Sequence, residues 1–483
     1  MLKKIVLYFL LLFGLLVRLY KINSPLADWH SWRQADTAAV ARNFVKEGID
    51  LLHPRFDDLS NVASGKDNPF GWRFVEFPLY NAFHAILFEF FGWFKKDLIS
   101  FEGAGRLVTI FSSLIGGIFL YLITKKILND WIALIAFGFF MFLPFNIFYS
   151  RVILPEPTMI MFGLGSIYFL LKWKEVDSED KKKIFYFLIS LFMSILAILT
   201  KPYILFLLLP SWLVIFGKKY FPFLIIYASL SLLPFGLWRI WMQKFPEGIP
   251  ANQWLFNLEG IRFKPAWWRW LFAERLGKLI LGYWGTVFLG LGIIWRFKKF
   301  TKEILFYSWL MGIFTYFSVF ARGNIQHDYY QIVILPVVAV FLAKGFYFLI
   351  SNYSKNFYWI LSWGLAIVFL IFSLGFSWYE IRGFYQINHP EIIEVGKKAN
   401  EILPPNARVI APYNGDTAFL YQINRKGWPI VSESISNLIK KGATHYVAVN
   451  FDEVTLSLIE TCPVLEKDSN WVIIDLINCP SLK

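Results

Sequence analysis

The chain has 483 residues, 57% of them hydrophobic and 20% aromatic, with a mean hydropathy of +0.50, which excludes an ordinary soluble domain. A formal net charge of +14 would point to nucleic acid in a soluble protein; in a membrane chain it reflects cationic cytoplasmic loops and anionic lipid, so no nucleic-acid partner is expected. The long apolar runs lack two-residue alternation, so they span as helices and not as a barrel.

Lys3 and Lys4 precede an apolar run that ends at Arg18, Tyr20 and Lys21 with no small-residue cleavage site. This reads as an uncleaved signal anchor and a first span, residues 4–20. A polar stretch follows to about residue 103, interrupted by Phe77–Trp93, which carries Pro78, His84 and Glu89 and is short for a span. If that segment lies on the membrane surface, the remaining spans fall near 104–123, 131–149, 155–171, 184–199, 202–216, 221–241, 276–295, 304–320, 331–350 and 357–377, about eleven in all. A cytoplasmic N-terminus then puts Lys125/Lys126, the cluster Lys172–Lys183, Lys218/Lys219, the cluster Arg296–Lys302 and Lys344/Lys355 on one side, as the positive-inside rule requires. Letting Phe77–Trp93 cross would scatter them.

The outside face then collects a first loop at 21–103, turns at Ser150–Glu156, Thr200–Lys201 and Ala321–Tyr330, a loop at 243–275, and everything after about residue 378. That last piece turns polar and α/β-patterned. Helices are predicted at Pro390–Leu403 and Glu433–Lys441, and strands at Arg408–Ala411, Thr444–Val449 and Trp471–Leu476. The predicted fold is thus mostly α: a polytopic membrane helix bundle over 1–379 and a small extracytoplasmic α/β domain over 380–483. The two cysteines, Cys462 and Cys479, fall in that domain and are compatible with one disulfide or two thiols. No Cys/His metal spacing surrounds them.

Residues fit for chemistry concentrate in the outside loops. Directly after the first span come Asp28, His30, Arg33 and Asp36 within nine residues. Asp36 is predicted to open an amphipathic helix with Ala38, Val40, Ala41, Phe44 and Val45 on its apolar side, which makes it either a helix cap or a general base. Lys66, Asp67, Trp72, Arg73 and Glu76 complete a polar ring before the surface helix. Glu156 sits between two prolines in a tight outside turn, as a partner of Arg151, a helix cap or a functional acid. Lys201 either snorkels to the interface or neutralises a phosphate. Arg322, His327 and Tyr330 form the third cluster; interfacial tyrosine alone would be aromatic belt. Jointly these loops supply cations for a lipid phosphate, a carboxylate to deprotonate a hydroxyl, and rings to face a sugar.

In this order and placement the chain resembles the membrane glycosyltransferases of the GT-C type, within them the bacterial branch of the protein O-mannosyltransferase and aminoarabinose-transferase superfamily. The resemblance covers about residues 1–380 and rests on Trp32-Arg-Gln-Ala-Asp-Thr-Ala-Ala-Val-Ala-Arg-Asn-Phe44, Glu76-Phe-Pro-Leu-Tyr80, Gly105-Arg106-Leu107, Tyr149-Ser-Arg-Val-Ile-Leu-Pro-Glu-Pro157, Lys201-Pro202 and His327-Asp-Tyr-Tyr330. It implies a polyprenyl-phosphate-linked sugar donor, transfer on the extracytoplasmic face, and inversion at the anomeric carbon. It maps Asp36 to the first-loop acid, as base, and Glu156 to the acid of the second outside loop. Asp28, His30, Arg33, Glu76, Tyr80, Arg151, Lys201, Arg322, His327 and Tyr330 are the implied substrate contacts. Glu76-Phe77 stands where many relatives have a lysine, and Gln34-Ala35-Asp36 offers one acid where many have two adjacent. Phosphate binding therefore moves to Lys201, Arg151 and Arg322, and neither a metal nor a cofactor is expected.

The acceptor is a hydroxyl of protein, lipid or glycan, reached in the cytoplasmic membrane with the N-terminus inside. A transporter or flippase is the rival reading. Such proteins place ionisable groups at the midplane and show paired repeats, whereas these span interiors are almost free of charge and no repeat is visible.

Overall fold

The computed structural model describes residues 1–95, 98–177, 179–351 and 358–482. Each predicted span is helical over most of its described residues. Five described helices are at least 18 residues long and apolar enough to cross a bilayer: Phe101–Ile127, Lys182–Thr200, Phe221–Met242, Asp328–Ser351 and Trp359–Tyr385. A sixth arises if the bent pair Pro265–Ile280 and Gly285–Ile294 is one span. Shorter apolar helices are Asp130–Phe142 and Pro202–Phe216, so among the described residues length and composition do not confirm the count of eleven.

Two expected spans are interrupted, each for an identifiable reason. The 131–149 segment begins well, with the Asn129 side chain accepting from the Ile132 amide at 2.8 Å as a cap. It stops at Phe142, because Pro144 has no N–H to continue the ladder and instead starts a second helix, Pro144–Tyr149. The 276–295 segment is bent by 114°. At the bend, serines add hydrogen bonds: Ser377 donates to Leu279 O and Ser373 to Leu281 O, both at 2.7 Å. Broken helix at membrane depth is tolerated where neighbouring side chains supply such partners.

A further correction concerns Lys344, expected in a cytoplasmic loop. It lies inside the Leu335–Ser351 helix, fully buried, with its ammonium 2.7 Å from the equally buried Glu303 and 3.2 Å from the Tyr307 hydroxyl. Pairing removes the cost of either charge alone, so this cation carries no topological information. Lys355, counted with it, lies outside the described residues. Removing one partner of a buried pair strands the other. Lys344→Met is expected to destabilise the protein by about 3–5 kcal/mol, and Lys344→Met with Glu303→Leu to recover most of that, read as thermal unfolding in detergent.

The chain divides into two compact units, which cut across the expected 1–379 and 380–483 division. One comprises residues 1–22, 106–238 and 252–384 and is helical. The other joins 23–105, 239–251 and 385–483. Its five-stranded mixed sheet contains β1 (Arg408–Ile410), β2 (Lys426–Trp428), β3 (His445–Ala448), β4 (Val464–Lys467) and β5 (Val472–Asp475), in the order β2-β1-β3-β5-β4. The β2-β1-β3 pairs are parallel and β3-β5-β4 antiparallel. The three predicted strands are β1, β3 and β5, the buried centre. The missed β2 and β4 are the edges, where apolar patterning is weakest. The two predicted helices are Glu391–Ile402 and Ile435–Lys440; two more, Ala418–Ile423 and Glu453–Thr461, complete the layer. Cys462 and Cys479 form a disulfide.

The β2 edge explains why the first loop belongs to this unit. An edge strand exposes unpaired backbone groups. Here the Gly427 amide donates to Asp57 O at 2.8 Å and its carbonyl accepts from the Leu59 amide at 2.7 Å, while Leu59 joins the sheet core with Trp428 and Tyr446. Between those residues Asp58 is buried, and burial pushes its carboxyl up to about 6. The native state keeps this proton to about pH 6, whereas the unfolded chain releases it near pH 4. Stability from this group is therefore lost as pH rises through that window. Asp58→Asn should gain thermal midpoint relative to the parent between pH 4 and 7; a pH-independent difference would contradict this.

Candidate functional site

In the mixed unit, the helix that carries Asp36 runs from Ser31 to Glu47, so Asp36 lies in its second turn and not at its start. The cap is His30, in left-handed backbone with φ 56°. The capping role considered for Asp36 is thereby excluded. Its carboxylate is buried instead, taking Arg73 Nη2 on Oδ2 at 2.5 Å and the Thr417 hydroxyl on Oδ1 at 2.7 Å. One turn earlier Arg33 reaches both oxygens of Glu76, at 2.8 and 2.9 Å. Glu76, the departure from the lysine of many relatives, is thus the buried counter-ion of Arg33. Gln34 donates to Asp28 Oδ1 at 2.7 Å, and the Tyr80 hydroxyl donates to Gly105 O at 2.8 Å. Arg33, Asp36, Arg73 and Glu76 line one small cavity with Asn81, whose amide donates to Thr37 O at 2.7 Å and so ties the Leu79–Phe94 helix to the Asp36 helix.

In the helical unit, the Glu156–Glu175 and Lys182–Thr200 helices form an antiparallel hairpin of 20 and 19 residues. The start of one and the end of the other therefore share a level. Glu156 is the first residue of its helix, after Pro155 as cap, and is 1% exposed. Lys201 follows its helix in extended backbone, held by its amide to Ala197 O, and its ammonium stands 3.5 Å from Glu156 Oε1. Lys201 is thus buried against an acid and does not snorkel outward. The same Oε1 accepts from the Tyr203 hydroxyl at 2.9 Å. The second oxygen, Oε2, is buried with no hydrogen-bond partner.

Tyr203 links this turn to the third cluster. Its ring lies 6.0 Å from Tyr330, and His327, Tyr329 and Tyr330 stack on one another within 27° of parallel. Between them in sequence, Asp328 is 1% exposed, accepts from the Tyr149 hydroxyl, and faces Arg275 Nη1 at 3.8 Å. Arg151 is buried, donates to Lys21 O at 3.0 Å and packs over Phe148. Arg322 is partly exposed, 4.0 Å from Glu259. Among the described residues no group of three or more His, Cys, Asp or Glu side chains is placed to hold a metal ion.

Sequence reasoning missed Tyr149, Tyr203, Arg275, Asp328 and Thr417 as partners of these groups. Tyr149 and Asp328 stand inside motifs already singled out, and Tyr203 is two residues past Lys201. Nothing in the sequence around Thr417 marks it.

Residues 83–239 match the family model for dolichyl-phosphate-mannose-protein mannosyltransferase. Sequence comparison with curated proteins finds no match. Among solved structures, the chain is similar to ArnT from Cupriavidus metallidurans bound to undecaprenyl phosphate, at 15% identity and a TM-score of 0.65 over 98% of both chains. It is also similar to the archaeal oligosaccharyltransferase AglB from Archaeoglobus fulgidus in complex with an inhibitory peptide and a dolichol-phosphate, at 10% identity and a TM-score of 0.57 over 92% of this chain and 69% of that one. At such identities the structures share a fold.

Proposed function

We propose that this chain is a membrane glycosyltransferase that moves a sugar from a polyprenyl-phosphate donor to an acceptor hydroxyl on the extracytoplasmic face, with inversion. The acceptor oxygen attacks the anomeric carbon as the bond from that carbon to the phosphate oxygen breaks. The electron pair leaves on polyprenyl phosphate, and the acceptor proton passes to Asp36. Lys201 neutralises the phosphate, and Glu156 with His327 and Tyr330 orients the sugar. Arg151 and Arg322 are further phosphate contacts.

The observation that carries the reading is Glu156 Oε2, an anionic oxygen that is buried yet receives no donor. Such a group is costly unless something completes it. A sugar hydroxyl is a donor of suitable size, and the loose 3.5 Å approach of Lys201 to the other oxygen suits an ammonium shared with a phosphate. Two further facts support it. ArnT and AglB, similar in fold, are described with undecaprenyl phosphate and a dolichol-phosphate. The Cys462–Cys479 disulfide suits an oxidising compartment, which favours an extracytoplasmic C-terminal region.

The test is consumption of a labelled polyprenyl-phosphate hexose by purified full-length protein in detergent, where no gradient exists. Release of polyprenyl phosphate with sugar on an acceptor supports the reading; counterflow in vesicles without consumption would support a transporter and overturn it.

A further inference from the structure

We propose that the pocket framed by Asp28–Trp32 on one wall and Asn388, His389 and Asp416 on the other is the acceptor site, and that it takes a carbohydrate. The proposal rests on the glycosyl-transfer reading and names the acceptor class that reading leaves open.

All of these residues belong to the mixed unit and line one open cavity of about 180 Å³, smaller than the ~300–1,000 Å³ usual for drug-sized ligands. The first wall depends on His30. Its left-handed backbone is strained outside glycine, and such strain concentrates at functional turns. That turn reverses the chain directly before the Asp36 helix and leaves Trp29 39% exposed, its ring edge-on to His30 at 5.1 Å. Asp28 stays buried, its Oδ1 held by Gln34 of that helix.

The second wall comes from the C-terminal segment. Asp416 Oδ1 accepts from the Ala418 amide at 2.7 Å at the start of the Ala418–Ile423 helix, and Asp416 lines the cavity. Burial pushes this carboxyl up to about 6. Asn388 and His389 are exposed beside it.

The combination selects a ligand class. Indole faces match the C–H face of a pyranose, while carboxylate, carboxamide and imidazole groups match its ring of hydroxyls. A serine or threonine acceptor brings one hydroxyl and no pyranose face for the indoles of Trp29 and Trp32. A phosphate-bearing acceptor would meet two carboxylates, Asp28 and Asp416, and be repelled. The pocket also adjoins the proposed base. Thr417, next in sequence to Asp416, donates to Asp36 Oδ1, and Trp32 and Asp36 share one helix. A glycan held here would present a hydroxyl beside the group that takes its proton.

The experiment uses full-length protein in lipid nanodiscs. The probes are methyl hexosides and a hexosamine disaccharide, against a serine/threonine peptide and a lipid phosphate as competing acceptors. Tryptophan fluorescence reads binding without donor, and transfer from a labelled polyprenyl-phosphate hexose reads turnover. Trp29→Ala and Asp416→Asn are expected to raise the glycan's Kd and KM about tenfold while donor KM stays put, and Trp29→Phe to recover most of the loss. Transfer preferring peptide or lipid phosphate, or glycan KM unmoved by both variants, would overturn the pocket. Glycan binding that responds to the variants, with no donor consumed, supports the pocket and overturns the transfer reading, so the two failures are distinct.

Discussion

Asp36→Asn is expected to lower transfer from a polyprenyl-phosphate sugar by about 10²–10⁴-fold, the usual contribution of a general base. Asparagine keeps the shape of the site. Its carbonyl still accepts from Arg73, and its amide faces Thr417, whose hydroxyl turns from donor to acceptor. Only the proton-accepting oxygen is lost. The same substitution leaves the Arg73 guanidinium, 11% exposed, without its counter-ion, and breaking a buried pair from one side costs about 3–5 kcal/mol. Activity and stability must therefore be read separately. Asp36→Asn with Arg73→Gln should restore the thermal midpoint in detergent and leave transfer low. Near-normal turnover by the single variant would remove Asp36 as base.

Lys201→Met is expected to cost about 10²–10³-fold in turnover, the scale for one preorganised group that stabilises charge on a leaving oxygen. Methionine keeps the length and the apolar stem but not the cation. Glu156 would then be buried with only the Tyr203 hydroxyl for company. Pairing the change with Glu156→Gln removes that stranded anion and should recover stability. It should not recover transfer, because the phosphate would still leave unneutralised. A donor KM and turnover equal to the parent in Lys201→Met would place the phosphate elsewhere, with Arg151 and Arg322 the next to substitute. Lys201→Arg keeps the charge but carries a wider, planar head into a site with 3.5 Å between cation and acid; partial activity is expected.

The Arg33–Glu76 pair shows how a departure from a family pattern becomes legible only in three dimensions. Read along the chain, Glu76 is an acid in place of a lysine. In the structure it is a carboxylate that pairs with the buried Arg33 beside the Asp36 cavity. Arg33 and Glu76 form a neutral pair, which is why the phosphate role is sought in the helical unit, at Lys201.

The sequence by itself determined that the chain is a bundle of membrane helices, where most helices begin and end, and which turns carry ionisable groups. Hydropathy and helical periodicity are sums over neighbouring residues, and so they need no knowledge of the rest of the chain. The same holds for β1, β3 and β5, whose apolar runs announce burial. What only the tertiary structure decided is who meets whom. Asp36 is oriented by Thr417, 381 residues away, and Asp328 by Tyr149, 179 residues away. The first loop completes the edge of a sheet built from the last hundred residues, through two hydrogen bonds at Gly427. Pro144 and the 114° bend divide helices that hydropathy alone runs together, and Glu303 hides a lysine that charge counting placed in water. Each of these depends on long-range packing and on satisfying buried polar groups, which no local window of sequence contains.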